Sequence, residues 1–193
     1  MREMISMIVV LTVLTAISGG LLATVQSGTA VRIENQVLKF QKAPAIQDIF
    51  PEVTNDPLAE RFTIKSEGLE LQIFPSLLSD GTKAVAFETK GSAFGGPIGL
   101  MLGVNLETDE IVDVRVTTHA ETPGIGSRAK DNLSFVSQFS GLAMDTNFSI
   151  KGDGGVIDAM SGATVTSKGL SVAANQAKEI YKKLKPEIVK QMN

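Results

Sequence analysis

From Met4 to Val25 the chain runs MISMIVVLTVLTAISGGLLATV, 22 consecutive positions without a charged side chain. Wound as an α-helix at 1.5 Å per residue, that segment is about 33 Å long, enough for a hydrocarbon layer of about 30 Å. Gly19 and Gly20 fall inside it; membrane helices tolerate glycine, which lets neighbouring helices approach closely. A cleaved signal peptide is the alternative. Its apolar core is usually about 7–15 residues and ends at a small-x-small site, and this run is longer and has no such site after it. A retained anchor over residues 1–27 is therefore expected. Arg2 precedes the span and Arg32, Lys39 and Lys42 follow it, a distribution that leans weakly toward a cytoplasmic position for the rest of the chain.

Beyond the span, Thr29–Ala43 has a loose helical spacing of Val31, Val37, Leu38 and Phe40, and Pro44 and Pro51 bound a short connector. A juxtamembrane helix and connector over 28–54 and a globular domain over 55–193 follow from this. Within the domain, Ile98, Leu100, Leu102, Val104 and Leu106 alternate, as do Val112, Val114, Val116 and Thr118, around the polar turn Glu107–Glu110. That pattern predicts a β-hairpin with one buried face. Ala84–Thr89 and Leu69–Phe74 are two more expected strands, and Asp131–Phe139 a short helix. Leu170, Ala173, Ala174, Ala177, Ile180, Tyr181 and Leu184 mark a long amphipathic helix beginning near Thr166 and Ser167 and ending or kinking at Pro186. The class is α+β, an antiparallel sheet with flanking helices.

Composition removes several kinds of chemistry. The chain contains no cysteine and one histidine, His119. Disulfides, thiolate-ligated iron–sulfur clusters, cysteine nucleophiles and histidine metal clusters are excluded. A net charge of −3, with no dense Lys/Arg stripe, argues against nucleic acid as a partner. A hard-cation site built from Asp and Glu is the alternative left open, but no EF-hand spacing supports one and no metal is expected.

The stretch Asp158–Ser167, DAMSGATVTS, gathers hydroxyls and small residues at the start of the last helix. A helix N-terminus offers unpaired N–H groups and a positive dipole end, both suited to a phosphate. Gly162 and Ala163 allow close approach, and Ser161 and Thr164 offer hydroxyls. The local chemistry suits holding a phosphoryl group or being esterified to one; a capped helix with a small-residue turn is the plainer alternative. The GKS/T pattern of a P-loop is absent.

DAMSGAT resembles the flavinylation motif D-x-x-S/T-G-A-T of FMN-carrying subunits in ion-translocating redox complexes, namely the G subunit of the Rnf complex and the C subunit of the sodium-translocating NADH:quinone reductase. Two further stretches are similar to that family: GSAFGGPIGLMLGVN over 91–105, and THAETPGIGS over 118–127. The resemblance implies an FMN-binding domain in which Thr164 is esterified to the FMN phosphate by a separate flavin transferase. It makes Asp158 part of the transferase recognition element and Ser161, Gly162 and Ala163 the phosphate surroundings. Glu121, Thr122 and Gly124 become flavin contacts. Ile125 replaces the usual leucine and Phe94 a common tyrosine. Lys151 is a candidate for the phosphate or a ring oxygen, with a solvated lysine as the alternative, and Arg115 and Arg128 have the same weaker claim. His119 is either a flavin donor or a strand-end hydrogen-bonding residue.

The chain length is closer to the Rnf G subunit. The resemblance then implies an electron carrier without turnover of its own, in a ferredoxin:NAD oxidoreductase complex coupled to Na⁺ or H⁺ movement. It also implies an extracytoplasmic FMN domain, a single span in the inner membrane, and other membrane proteins of the Rnf complex as partners, above all its flavin-carrying D subunit. The C subunit of the quinone reductase, a free-standing extracytoplasmic flavoprotein, and a non-redox anchored binding domain are the other readings.

Overall fold

The computed structural model describes residues 2–66 and 69–192. The chain divides into two compact units, Met1–Phe40 and Gln41–Asn193. The first is helical: α1 spans Arg2–Val37 with no buried residue. It is long and apolar enough to cross a membrane. Its threonine hydroxyls are satisfied internally. Thr12, Thr15, Thr24 and Thr29 each donate to the carbonyl four residues back, which removes the cost of placing them in hydrocarbon.

A π-helical turn, Leu38–Lys42, leads into α2, Ala43–Ile49. Pro44 therefore opens a helix instead of ending one. In the first turn its missing N–H has no intrahelical partner to lose. The sequence-based division at residue 55 also shifts, because Ala45, Ile46, Ile49 and Phe50 are buried and belong to the compact unit that begins at Gln41.

The sheet is a five-stranded antiparallel meander in the order β1-β2-β3-β4-β5, with β1 Phe62–Ser66, β2 Leu69–Leu77, β3 Lys83–Ala93, β4 Gly96–Asn105 and β5 Ile111–Val116. The expected strands are present, with β2, β3 and β4 longer than their sequence patterns and β5 ending before Thr118, and β1 is additional. The expected single buried face is corrected at β4, where Leu100, Met101, Leu102 and Val104 are all fully buried. Helices cover both faces. Leu100, Leu102 and Val104 pack into the main core with Leu170, Ala173, Ala174 and Ala177 of the last helix. The opposite face meets α2. A Cβ on Gly103 would lie 2.7 Å from Phe50 Cζ, so the residue there must lack a side chain. Ala86 pairs with both Phe74 and Gly103, so the same cross-strand row sets two small residues beside one large ring.

The short helix expected over 131–139 is split. α3 covers Arg128–Asp131 and a 3-10 turn covers Val136–Phe139. Asn132 is extended (φ −121°, ψ 108°), and its Oδ1 accepts from Ser134 N at 3.0 Å. This local side-chain turn competes successfully with helix.

The last helix, α4, runs Thr164–Gln191 without stopping at Pro186. Leu184 and Ile188 are buried on either side of the proline, and that burial outweighs the lost backbone bond. Near this end Asp109, at a left-handed φ of 58°, accepts from Tyr181 Oη at 2.5 Å and from Lys185 Nζ at 2.5 and 2.6 Å. Partial burial pushes the Asp109 carboxyl up, but the bonds from Lys185 and Tyr181 outweigh it and hold the group below its usual range. Burial, with the Asp109 carboxylate beside it, raises the Tyr181 phenol.

Two pH limbs follow. The Asp109 contribution is present above its unfolded pKa of about 4 and is lost as pH falls through the lower folded value. The Tyr181 contribution is present below about pH 10 and declines as the unfolded chain ionises above it. Tyr181→Phe is expected to cost about 1.5–3 kcal/mol at neutral pH, the scale of a hydrogen bond to a charged group, and to flatten the alkaline limb. Urea midpoints from pH 7 to 11 measure both effects, and an unchanged alkaline slope would remove Tyr181 from the account.

Candidate functional site

Three segments far apart in sequence converge at one end of the domain. The first is the β3–β4 turn, which presents Phe94 with 75% of its surface exposed. The second is the loop after β5, with Glu121, Thr122, Ile125 and Gly126. The third is the start of α4. Together they line a groove of about 430 Å³ whose α4 side consists of Gly162, Ala163, Thr164, Val165 and Thr166. Phe94, Ile125 and Val165 are all exposed apolar side chains on this groove, so its mouth is apolar.

Helix α4 starts at Thr164, two residues earlier than the spacing suggests, and its N-cap residue Ala163 makes no side-chain cap. The expected hydroxyl caps are used elsewhere. Ser167 Oγ donates to Ala163 O at 3.0 Å and accepts from Met160 N at 2.9 Å, which stitches the preceding turn to the helix. Thr166 donates to Glu121 Oε2. Both side chains are buried, whereas Thr164 is exposed on the groove. Gly162 sits at φ +78°, a conformation glycine adopts without strain. The first N–H groups of α4 have no carbonyl one turn back and form the positive end of the helix dipole, in the turn whose residues Thr164, Val165 and Thr166 line the groove.

Glu121 is 6% exposed. Its Oε1 accepts from Gly95 N at 2.5 Å. The carboxylate thus ties the β3–β4 turn, the loop and α4 together from the groove wall. His119 Nδ1 accepts from Glu121 N at 3.3 Å, the structural role weighed for it. The loop is closed by Ile125 N donating to Thr122 O at 3.2 Å and Gly124 N donating to Ser127 Oγ at 2.9 Å.

Of the expected site residues, Glu121, Thr122, Gly162, Ala163 and Thr164 meet on the groove. Gly124 and Ser161 lie in the same loops but not among its lining residues. Lys151 and Asp158 are drawn to each other, Nζ to Oδ2 at 2.7 Å, and away from the groove lining. The Asp158 backbone is gripped by Gln138, which donates to Asp158 O at 3.2 Å and accepts from Asp158 N at 2.7 Å. Arg115 is elsewhere, paired with Asp113 at 2.5 Å and near Asp48. Arg128 has a larger part than expected. Its Nη2 donates to Ser161 O and its Nε to Ile125 O at 3.0 Å, joining both loops. Arg128→Ala is expected to cost about 1–2 kcal/mol and to speed amide exchange across 158–163; exchange unchanged there would deny the link.

The matched domain family coincides with this site. A profile described as FMN-binding domain matches residues 93–179, which include every groove residue. The G subunit of the ion-translocating oxidoreductase complex of Cronobacter sakazakii is 30% identical over 190 residues, covering 93% of this chain and 91% of that protein. The chain belongs to the family of ion-translocating oxidoreductase complex G subunits. The Salmonella typhi member is 31% identical over 179 residues, covering 88% of this chain and 86% of its own. Two solved structures share the fold with this G-subunit homologue, each at 22% identity. The C subunit of the Na⁺-translocating NADH-quinone reductase from Parabacteroides distasonis superposes with a TM-score of 0.52, covering 60% of this chain and 63% of that one. NqrC of Shewanella oneidensis gives 0.51, covering 71% of each.

Proposed function

We propose that this chain is a membrane-anchored electron carrier holding FMN by a phosphoester between Thr164 Oγ1 and the cofactor phosphate. The observation that carries the reading is the selection among hydroxyls. Thr166 and Ser167 are buried and bonded, and Thr164 alone of the three is exposed on the groove. The N–H groups of the first α4 turn and the side-chain-free Gly162 suit a phosphate at that point. The apolar mouth of Phe94, Ile125 and Val165 suits a flat π-system. When bound, FMN supplies the redox chemistry, which no cysteine or metal cluster among the described residues offers.

In this reading the domain lies on the extracytoplasmic side. It passes electrons within a ferredoxin:NAD oxidoreductase complex coupled to Na⁺ or H⁺ movement, with the flavin-carrying D subunit of that complex as its neighbour. A flavin transferase recognises the turn containing Asp158, which Gln138 presents in a fixed pose. Net formation of the ester joins Thr164 Oγ1 to phosphorus with loss of water.

Full-length protein co-expressed with a flavin transferase, then denatured, tests this directly. Yellow fluorescence in the gel, a mass gain of FMN minus water, and localisation of that mass to the peptide containing Thr164 are expected. Dark protein, with the transferase active on a known acceptor, returns the groove to a non-redox binding role.

A further inference from the structure

Glu121 occupies an unusual electrostatic position. It is a carboxylate 6% exposed on the wall of the groove, and among the described residues no cation pairs with it. What compensates it is the N–H of Gly95, the hydroxyl of Thr166 and the positive end of α4, whose first turn contains Thr166. The fit around it leaves no slack. A Cβ on Gly126 would lie 2.7 Å from Thr166 Oγ1 and overlap Glu121 Oε2. A carboxylate held this firmly beside a low-dielectric groove exerts a fixed field on whatever the groove holds.

We infer that Glu121 is a positioning and field-setting residue, one that holds the three groove segments in register and lowers the reduction potential of the flavin through its buried negative charge. The inference rests on the FMN reading above. Reduction of the ring by two electrons with uptake of one proton adds one negative charge, and a nearby fixed carboxylate opposes that charge. The electrons come from the neighbouring redox centre of the complex and the proton from solvent. Thr166 moderates the effect, because its donated hydrogen bond draws part of the carboxylate charge away from the groove. The two residues therefore act in opposite directions on the potential while acting in the same direction on the architecture.

That opposition separates field from scaffold. Glu121→Gln keeps the shape and an oxygen for the Gly95 N–H, and its amide can donate to Thr166 Oγ1, whose own hydroxyl then turns to a carbonyl one turn back. Thr166→Val keeps the volume and leaves the charge with one donor fewer. Midpoint potentials are read by spectroelectrochemical titration of the full-length flavinylated protein in detergent, with the covalent flavin content measured on the same samples. At the parent midpoint, Glu121→Gln is expected to raise the reduced-to-oxidised ratio about tenfold, and Thr166→Val to lower it about threefold, the scale of one partly screened charge. Thr166→Ser should restore the parent value. A ratio within about twofold of the parent for Glu121→Gln, or both variants moving the same way, overturns the inference and leaves Glu121 as scaffold. If Glu121→Gln does not accumulate as folded protein, Thr166→Val decides alone, an unchanged or higher ratio being the overturning result. Parent protein that carries no flavin defeats the FMN reading itself, a distinct outcome visible before any potential is measured.

Discussion

Gly91→Ala is expected to destabilise the domain strongly while leaving it folded at room temperature. β3 and α4 touch there backbone to backbone. A Cβ on Gly91 would overlap the carbonyl oxygen of Gly169 and sit 2.7 Å from its carbonyl carbon, while a Cβ on Gly169 would sit 2.7 Å from Ser92 O. No side chain can rotate aside, because both clashing partners are main chain. The helix must lift from the strand along the seam that buries Leu170, Ala173 and Ala177. Overpacking of a tight core costs about 1–3 kcal/mol, and a backbone clash belongs at or above the upper end. For a chain of this size that is a fall in melting temperature of about 6–12 °C. Gly152→Ala is the control, since its added carbon would meet only Ile150 Cδ1 at 3.9 Å and should leave the melt where it was. A Gly91→Ala melt matching the control would mean that the strand and helix are less tightly seated than described.

Thr164→Val should abolish covalent flavin completely, while Thr166→Val and Ser167→Ala retain it. Valine preserves the β-branched shape and apolar contacts of threonine but has no oxygen to esterify, so α4 should start at the same place. Thr164→Ser tests the chemistry from the other side: the nucleophilic oxygen remains, and partial labelling is expected, set by how well the transferase accepts a less constrained rotamer. Intact mass after denaturation reads all four variants on one scale. Full labelling of Thr164→Val would move the attachment to another hydroxyl, and Ser161, exposed in the preceding turn, would be the next to examine.

How much of this is legible in the sequence depends on the range of the interactions involved. The β4–β5 hairpin is readable because its alternation is local. The second buried face of β4 is not, because Met101 and glycines 99 and 103 give no apolar period. Gly103 makes sense only once Phe50 is brought against it, and Gly99 only once Glu88 and Thr117 close on it. β1 escapes because five residues with Phe62 and Ile64 on one side are too short a pattern to stand out. The helix expected to begin at Asp131 is broken by Asn132, whose side-chain bond spans only two residues and leaves the apolar spacing around it intact. At the site, the motif resemblance locates Thr164 and the loop around Glu121. It does not reveal that Thr166 spends its hydroxyl on Glu121, 45 residues away, or that Arg128 reaches Ser161, 33 residues away. Such contacts have no local signature. They follow from the sheet order that folds three segments to one end.

The 28 residues of α4 make a rod of about 42 Å, pressed along β3 and clasped near its far end by Asp109. Helix ends ordinarily fray, opening and closing far more often than the rest of a protein. Here the first turn is pinned by Ser167 to the preceding turn and by Thr166 to Glu121, and the next turn is locked by the Gly91–Gly169 contact. Thr164 is thus expected to belong to the slowest-opening cooperative unit of the domain. In hydrogen exchange, amides at Ser167 to Leu170 should exchange only through global unfolding. A cofactor held at Thr164 would then ride on an anchor point as long-lived as the fold itself, and any swing between partners would have to come from the ring and its ribityl chain while the protein end stays still.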